Sequence, residues 1–136
     1  MSSINVIEPP QLHNGYPNWA LPEVLAELAV GDGADLILEL IQMFETDVRI
    51  RLGEARNAMA SGDRASLKAQ VHSIKGSSGQ IGAKSLAAIC EYLEATALDL
   101  PTVRLNVSLD KADAEFTAAC QEMAAYSLAS RGGNDR

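Results

Sequence analysis

Residues 63–97 read DRASLKAQVHSIKGSSGQIGAKSLAAICEYLEATA, and their pattern decides the fold. Leu67, Val71, Ile74 and Ile81 recur at spacings of three, four and seven, the signature of one apolar face on a helix. Asp63 is placed to cap its start, because its side chain can accept from backbone N–H groups of the first turn. The chain turns near Ile81-Gly82-Ala83. Leu86, Ile89 or Cys90, Leu93 and Ala97 then open a second helical register. Two amphipathic helices joined by so short a turn are expected to lie antiparallel.

The same period extends in both directions. Over about residues 34–60, Leu36, Leu40, Phe44 or Met43, Val48, Leu52, Ala55 and Met59 predict a long helix closed by Ser61-Gly62-Asp63. After Pro101, Leu105, Leu109, Ala112, Phe116, Ala119 or Cys120, and Met123 predict another. A short helix is expected from near Pro22, carrying Leu25, Leu28 and Val30 to a break at Gly31-Asp32-Gly33. No segment alternates with a two-residue period between hairpin turns, so a sheet is not expected. The predicted fold is all-α: an antiparallel four-helix bundle with a short additional N-terminal helix as a lid. Residues 1–20, with Pro9, Pro10, Pro17 and Asn14-Gly15, are expected to be irregular. The bundle is expected over 21–130 and a flexible tail over 131–136.

Composition narrows the function classes. The chain has 136 residues, 47% of them hydrophobic but only 4% aromatic, so aliphatic side chains must fill a single core. Its net charge of −7 argues against nucleic-acid binding, which needs a basic footprint, and favours a monomer kept apart by self-repulsion. Cys90 and Cys120 are too few for a disulfide framework and suit small core positions in a reducing, cytoplasmic setting. The N-terminus lacks the basic and apolar regions of a signal peptide. No apolar run approaches the roughly 20 residues that span a bilayer, so no membrane association is expected.

The chemistry gathers on the first of the two central helices. At about 100° per residue, with His72 at zero, Lys75 falls near −60°, Gly76 near +40° and Gly79 near −20°. Leu67, Val71, Ile74 and Ile81 lie on the opposite side. His72 is thus expected to face outward beside a lysine and above two glycines. A glycine inside a helix costs about 0.8–1 kcal/mol relative to alanine, which an idle surface does not explain. Removal of bulk beside His72 does, while Lys75 supplies a mobile charge able to meet a phosphoryl oxygen. The plainer alternative is a surface His and Lys with glycines that permit close helix packing.

The turn adds a fifth residue. If the helices fold about residue 83, positions 72 and 94 are each eleven residues away and should lie side by side. Glu94 there could accept from one ring N–H, fix the tautomer and leave the other nitrogen free as a nucleophile; the alternative is a solvated surface charge.

Other chemistries find little support. A catalytic metal site needs about three converging ligands, and the two histidines, His13 and His72, lie in unrelated segments. Gly76-Ser77-Ser78-Gly79 sits within a helical pattern with no preceding strand, so it does not read as a phosphate-binding loop. Ser77 and Ser78 have no adjacent base. Glu91/Glu94 and Asp110/Asp113 read as solvated helix faces.

His72-x-x-Lys75-Gly76-Ser77-Ser78, followed by Gly82-Ala83 and Leu86, resembles the signature of histidine-containing phosphotransfer (HPt) domains of phosphorelays and chemotaxis histidine kinases. The resemblance is densest over 72–94, and the helix plan from about 22 to 128 agrees with that family's bundle. It implies a phosphorylated His72, phosphate stabilisation by Lys75, access at Gly76 and Gly79, orientation of the ring by Glu94, and an auxiliary role for Gln80. The implied function is a phosphorelay intermediate without kinase activity or turnover of its own. Its implied partners are the receiver domain of a response regulator and a sensor or hybrid histidine kinase. No cofactor is implied on this chain, Mg²⁺ being expected on the receiver alone. A non-phosphorylated helical adaptor, and a detached phosphoacceptor module of a chemotaxis-type kinase, are the alternatives.

Overall fold

The computed structural model describes residues 17–30 and 33–134, with side chains up to Ser130. Five helices follow in order: α1 (Glu23–Leu28), α2 (Ala34–Ser61), α3 (Arg64–Ile81), α4 (Lys84–Thr96) and α5 (Thr102–Asn134). No strand occurs among the described residues. Helix α3 packs between α2 and α4, and α5 closes the bundle against both α4 and α2. The expectations placed on His13, Pro9, Pro10, Asn14-Gly15, Gly31-Asp32 and residues 135–136 lie outside the described residues.

Each connection has a local cause. Gly62 ends α2 in the left-handed region at φ 76°, which glycine reaches without a Cβ clash. Asp63 then caps α3, its carboxylate accepting from the Ser66 N–H at 3.0 Å. Past α4, Arg64 donates to the carbonyls of Ala97, at 3.1 Å, and Leu100. These contacts tie the α4–α5 turn to the start of α3 and satisfy carbonyls that a helix end leaves unpaired.

The core is continuous. Val48, Ala55, Leu67, Val71, Ile74, Leu86, Ile89, Cys90, Leu93, Ala97, Leu105, Leu109, Ala112, Ala119 and Met123 are all fully buried. Phe44 and Phe116 meet edge to face with centroids 6.1 Å apart. At the start of α2 the phase differs from the sequence reading. Ile37 and Ile41 are buried, while Leu36 is 43% exposed and Met43 lies outside with Phe44 inside. The apolar run at 36–38 and the pair 40–41 admit more than one register. Counting back from Val48 by four, three and four residues gives 44, 41 and 37, the register adopted. At the end of α2, Ala58 is buried and Met59 only packs against the core.

On the N-terminal side α1 starts beside Pro22, as expected, with that proline at the N-cap, one position before the helix. Leu28 and Val30 are exposed, and within α1 only Leu25 packs on the core, so the helix expected as a lid is a lightly seated turn against α2. The stretch just before it is held more firmly. Residues 17–20 form no regular element, yet Trp19 is only 7% exposed, donates from Nε1 to the Ile81 carbonyl at 2.8 Å, and meets Tyr126 edge to face at 5.5 Å. Ala20 N–H donates to the Gly82 carbonyl. Gly82 has φ 94°, and a Cβ there would collide with the Ala20 carbonyl, so glycine is required both for the turn and for the approach of this strap. At the other end, residues 131–134 continue α5 through Gly132 and Gly133, where a flexible tail was expected. Extending a formed helix costs far less than nucleating one.

Candidate functional site

The site forms because α3 and α4 are antiparallel neighbours about the Gly82 turn. The apolar faces of both helices point into the core, which leaves His72 on the outer surface with its side chain 65% exposed. Glu94 of α4 lies alongside, its Oε2 2.7 Å from His72 Nδ1. The other carboxylate oxygen, Oε1, forms an ion pair with Lys75 Nζ, also at 2.7 Å. One carboxylate therefore holds two side chains that stand one helical turn apart on α3.

The electrostatics fix the ring's orientation. The Lys75 ammonium, aided by His72 and opposed by partial burial, holds the Glu94 carboxyl below the usual carboxylate range. An ionised carboxylate only accepts hydrogen bonds, so the ring donates from Nδ1. In the neutral imidazole the lone pair then belongs to Nε2, the nitrogen on the far side of the ring from Glu94. Lys75 is shifted up by the same pairing with Glu94, with burial opposing and the field of Glu91 adding to it.

The glycines border open space. A Cβ built at Gly76 or at Gly79 would meet no atom within 4 Å, so internal packing does not demand glycine at either position. Gln80 is exposed and lies two turns beyond His72, where it lines a groove instead of joining the His72–Glu94–Lys75 cluster. That groove, of about 380 Å³, is bounded by Leu25, Leu40, Met43, Phe44, Asp47, Ser77, Gln80 and Ile81. It lies along the α2 side of α3.

The structure thus brings together His72, Lys75 and Glu94, and leaves Gly76, Gly79 and Gln80 on the exposed side of α3. Sequence reasoning missed the Lys75–Glu94 pair: equal offsets about residue 83 set Lys75 opposite position 91, whereas Glu94 reaches both His72 and Lys75. Which α2 side chains line the groove is set by the phase of that helix. Among the described residues no group of three or more His, Cys, Asp or Glu converges to hold a metal ion. Burial pushes the thiols up, to about 12 at Cys90 and, with Glu45 adding to it, about 11 at Cys120; neither is an activated nucleophile. No described helix is long and apolar enough to cross a membrane.

The family model of the Hpt domain matches residues 39–126, which hold the whole cluster and most of the bundle. The chain belongs to the Hpt domain family. Among solved structures it is similar to histidine-containing phosphotransfer protein B of Pseudomonas aeruginosa PAO1, with a TM-score of 0.68 and 30% sequence identity, covering 81% of this chain and 97% of that one. No curated protein matches the chain in sequence. As an Hpt domain it has a histidine phosphotransfer role in two-component phosphorelay. Such domains are phosphocarrier modules that interact with receiver domains and histidine kinases.

Proposed function

We propose that His72 is the phosphoacceptor of a cytoplasmic phosphocarrier, with Nε2 as the reacting atom. One observation carries this reading: the Glu94 carboxylate engages Nδ1 of a ring that is otherwise open to solvent. On acceptance, the bond between phosphorus and an aspartyl oxygen of the receiver breaks, its electron pair stays on that oxygen, and the Nε2 lone pair forms the new P–N bond, which leaves the ring, with its proton still on Nδ1, as a cation against the Glu94 carboxylate. Donation to another receiver reverses these changes. Phosphoryl transfer asks mainly for in-line positioning and charge stabilisation. Lys75 supplies the charge, and the open surface at Gly76 and Gly79 allows the approach. The receiver supplies the aspartate and its Mg²⁺, so the protein alone has no turnover.

The apolar groove running from Leu25 to Ile81 is suited to receive part of a receiver beside this face, with Met43 at 67% exposure as its most prominent apolar side chain. The test is a transfer profile: the protein is mixed with each phosphorylated receiver of its source. Acid-labile, base-stable label on His72, lost in His72→Gln, is expected with at least one of them. Absence of label with every receiver, or label surviving in His72→Gln, overturns the proposal.

A further inference from the structure

The cluster contains one ammonium and, once His72 is phosphorylated, two anions able to claim it. Lys75 Nζ is held 2.7 Å from Glu94 Oε1, and the same carboxylate meets the ring at Nδ1 through Oε2. Lys75 is therefore anchored on the Nδ1 side. The proposed phosphoryl group is added at Nε2, across the ring. We propose that Glu94 competes with the phosphoryl group for Lys75, and so tunes how readily phosphorylated His72 gives up its phosphoryl group. This inference rests on the reading of His72 as phosphoacceptor and adds a control built into that site.

Before phosphorylation, Lys75 and Glu94 neutralise one another, and the histidine is presented with its tautomer fixed. Phosphorylation brings in close to two negative charges. Lys75 can stabilise them fully only by leaving the carboxylate, which then keeps the Nδ1–H of the phosphorylated ring as its partner but faces a new anion without the ammonium. Glu91, whose field also acts on Lys75, adds to the pull towards α4. Each effect raises the free energy of the phosphorylated state, and so favours onward donation. A glutamine at position 94 would keep an oxygen to accept from Nδ1–H but would carry no charge, leaving Lys75 to the phosphoryl group.

The experiment uses the full chain phosphorylated by phosphoramidate, a small donor that releases ammonia as its own P–N bond breaks. The decay of phosphohistidine is then followed by ³¹P NMR; in that hydrolysis the P–Nε2 bond breaks, a water oxygen bonds to phosphorus, and the electron pair returns to Nε2. Glu94→Gln is expected to lengthen the phosphohistidine lifetime roughly two- to fivefold, the scale of one partly exposed ion pair. In a Lys75→Ala background the same substitution is expected to change nothing, because the contested ammonium is gone. Ring ¹⁵N shifts of unphosphorylated Glu94→Gln are expected to show the proton still on Nδ1. An unchanged or shorter lifetime in Glu94→Gln, or a gain that persists without Lys75, overturns the competition while leaving His72 as phosphoacceptor. A label that does not map to His72 overturns the underlying reading as well.

Discussion

Replacing Gly76 should make the protein more stable and less active at once. A Cβ at position 76 meets nothing within 4 Å, so alanine there brings no clash and recovers the helix-propensity difference of about 0.8–1 kcal/mol. With an unfolding entropy of about 2.1 cal/mol/K per residue, a chain of 136 residues converts that gain into about 3 °C of Tm. Gly79→Ala should add a similar amount, and Gly76→Gln about 2 °C, because glutamine is a somewhat weaker helix former than alanine. The glutamine side chain also stands in the approach to Nε2, so transfer from a phosphorylated receiver should fall by at least about tenfold, a loss of about 1.4 kcal/mol in transition-state stabilisation. Gly53 is the control: it too lies in a helix with nothing within 4 Å of a Cβ, but on α2, near where the Arg49 guanidinium lies over the Phe116 ring at 5.3 Å. Gly53→Ala should raise Tm equally and leave transfer untouched. Calorimetry and a rapid-quench transfer assay on the four variants give both readouts. A drop in Tm at position 76, or parent-rate transfer by Gly76→Gln, would refute the account of these glycines as an approach surface.

Further outcomes follow from particular contacts. His72→Gln should keep the circular dichroism and Tm of the parent within about 2 °C, because the side chain is mostly solvated; a large loss of stability would make His72 structural. Trp19→Ala should cost about 3–5 kcal/mol, seen as a Tm drop of at least about 10 °C by calorimetry, because it removes a buried ring and its bond to Ile81; a shift of a degree or two would mean that the strap is dispensable. The Glu94 carboxyl is depressed in the fold, so its contribution is present at pH above the usual carboxylate range and is lost as pH falls through the depressed value. Lys75 is raised, so its share persists until pH climbs through that higher value. The Tm difference between parent and Glu94→Gln should therefore narrow as pH falls into the acid range and again in strong alkali, and a gap that persists undiminished in acid would contradict the pairing.

What was legible in the sequence is what a fixed helical period transmits. The outward direction of His72 and its register with Glu94 need only 100° per residue and a short turn at Gly82, and both appear in the structure. The buried face of α3, α4 and α5 follows from the same rule. The start of α2 was less legible because adjacent apolar residues fit several phases, and the choice of Ile37 over Leu36 belongs to packing against neighbouring helices. Trp19 carried no periodic signal at all. Its place depends on a carbonyl freed at the end of α3 and on a glycine that admits the Ala20 backbone, two features brought together only by tertiary structure. The claim of Glu94 on Lys75 was hidden for a related reason: a single side chain between two rows of a helix can reach both, and equal-offset pairing assigns it to one.

The central claim is that Glu94 occupies Nδ1 and thereby reserves Nε2 of His72 for the phosphoryl group. Its most direct test is ¹⁵N and ³¹P NMR of the ¹⁵N-labelled protein after phosphorylation by a receiver. The expected result is phosphorus coupled to Nε2 of His72, with Nδ1 still bearing its proton; a phosphoryl group on Nδ1, or on any residue other than His72, would contradict the claim.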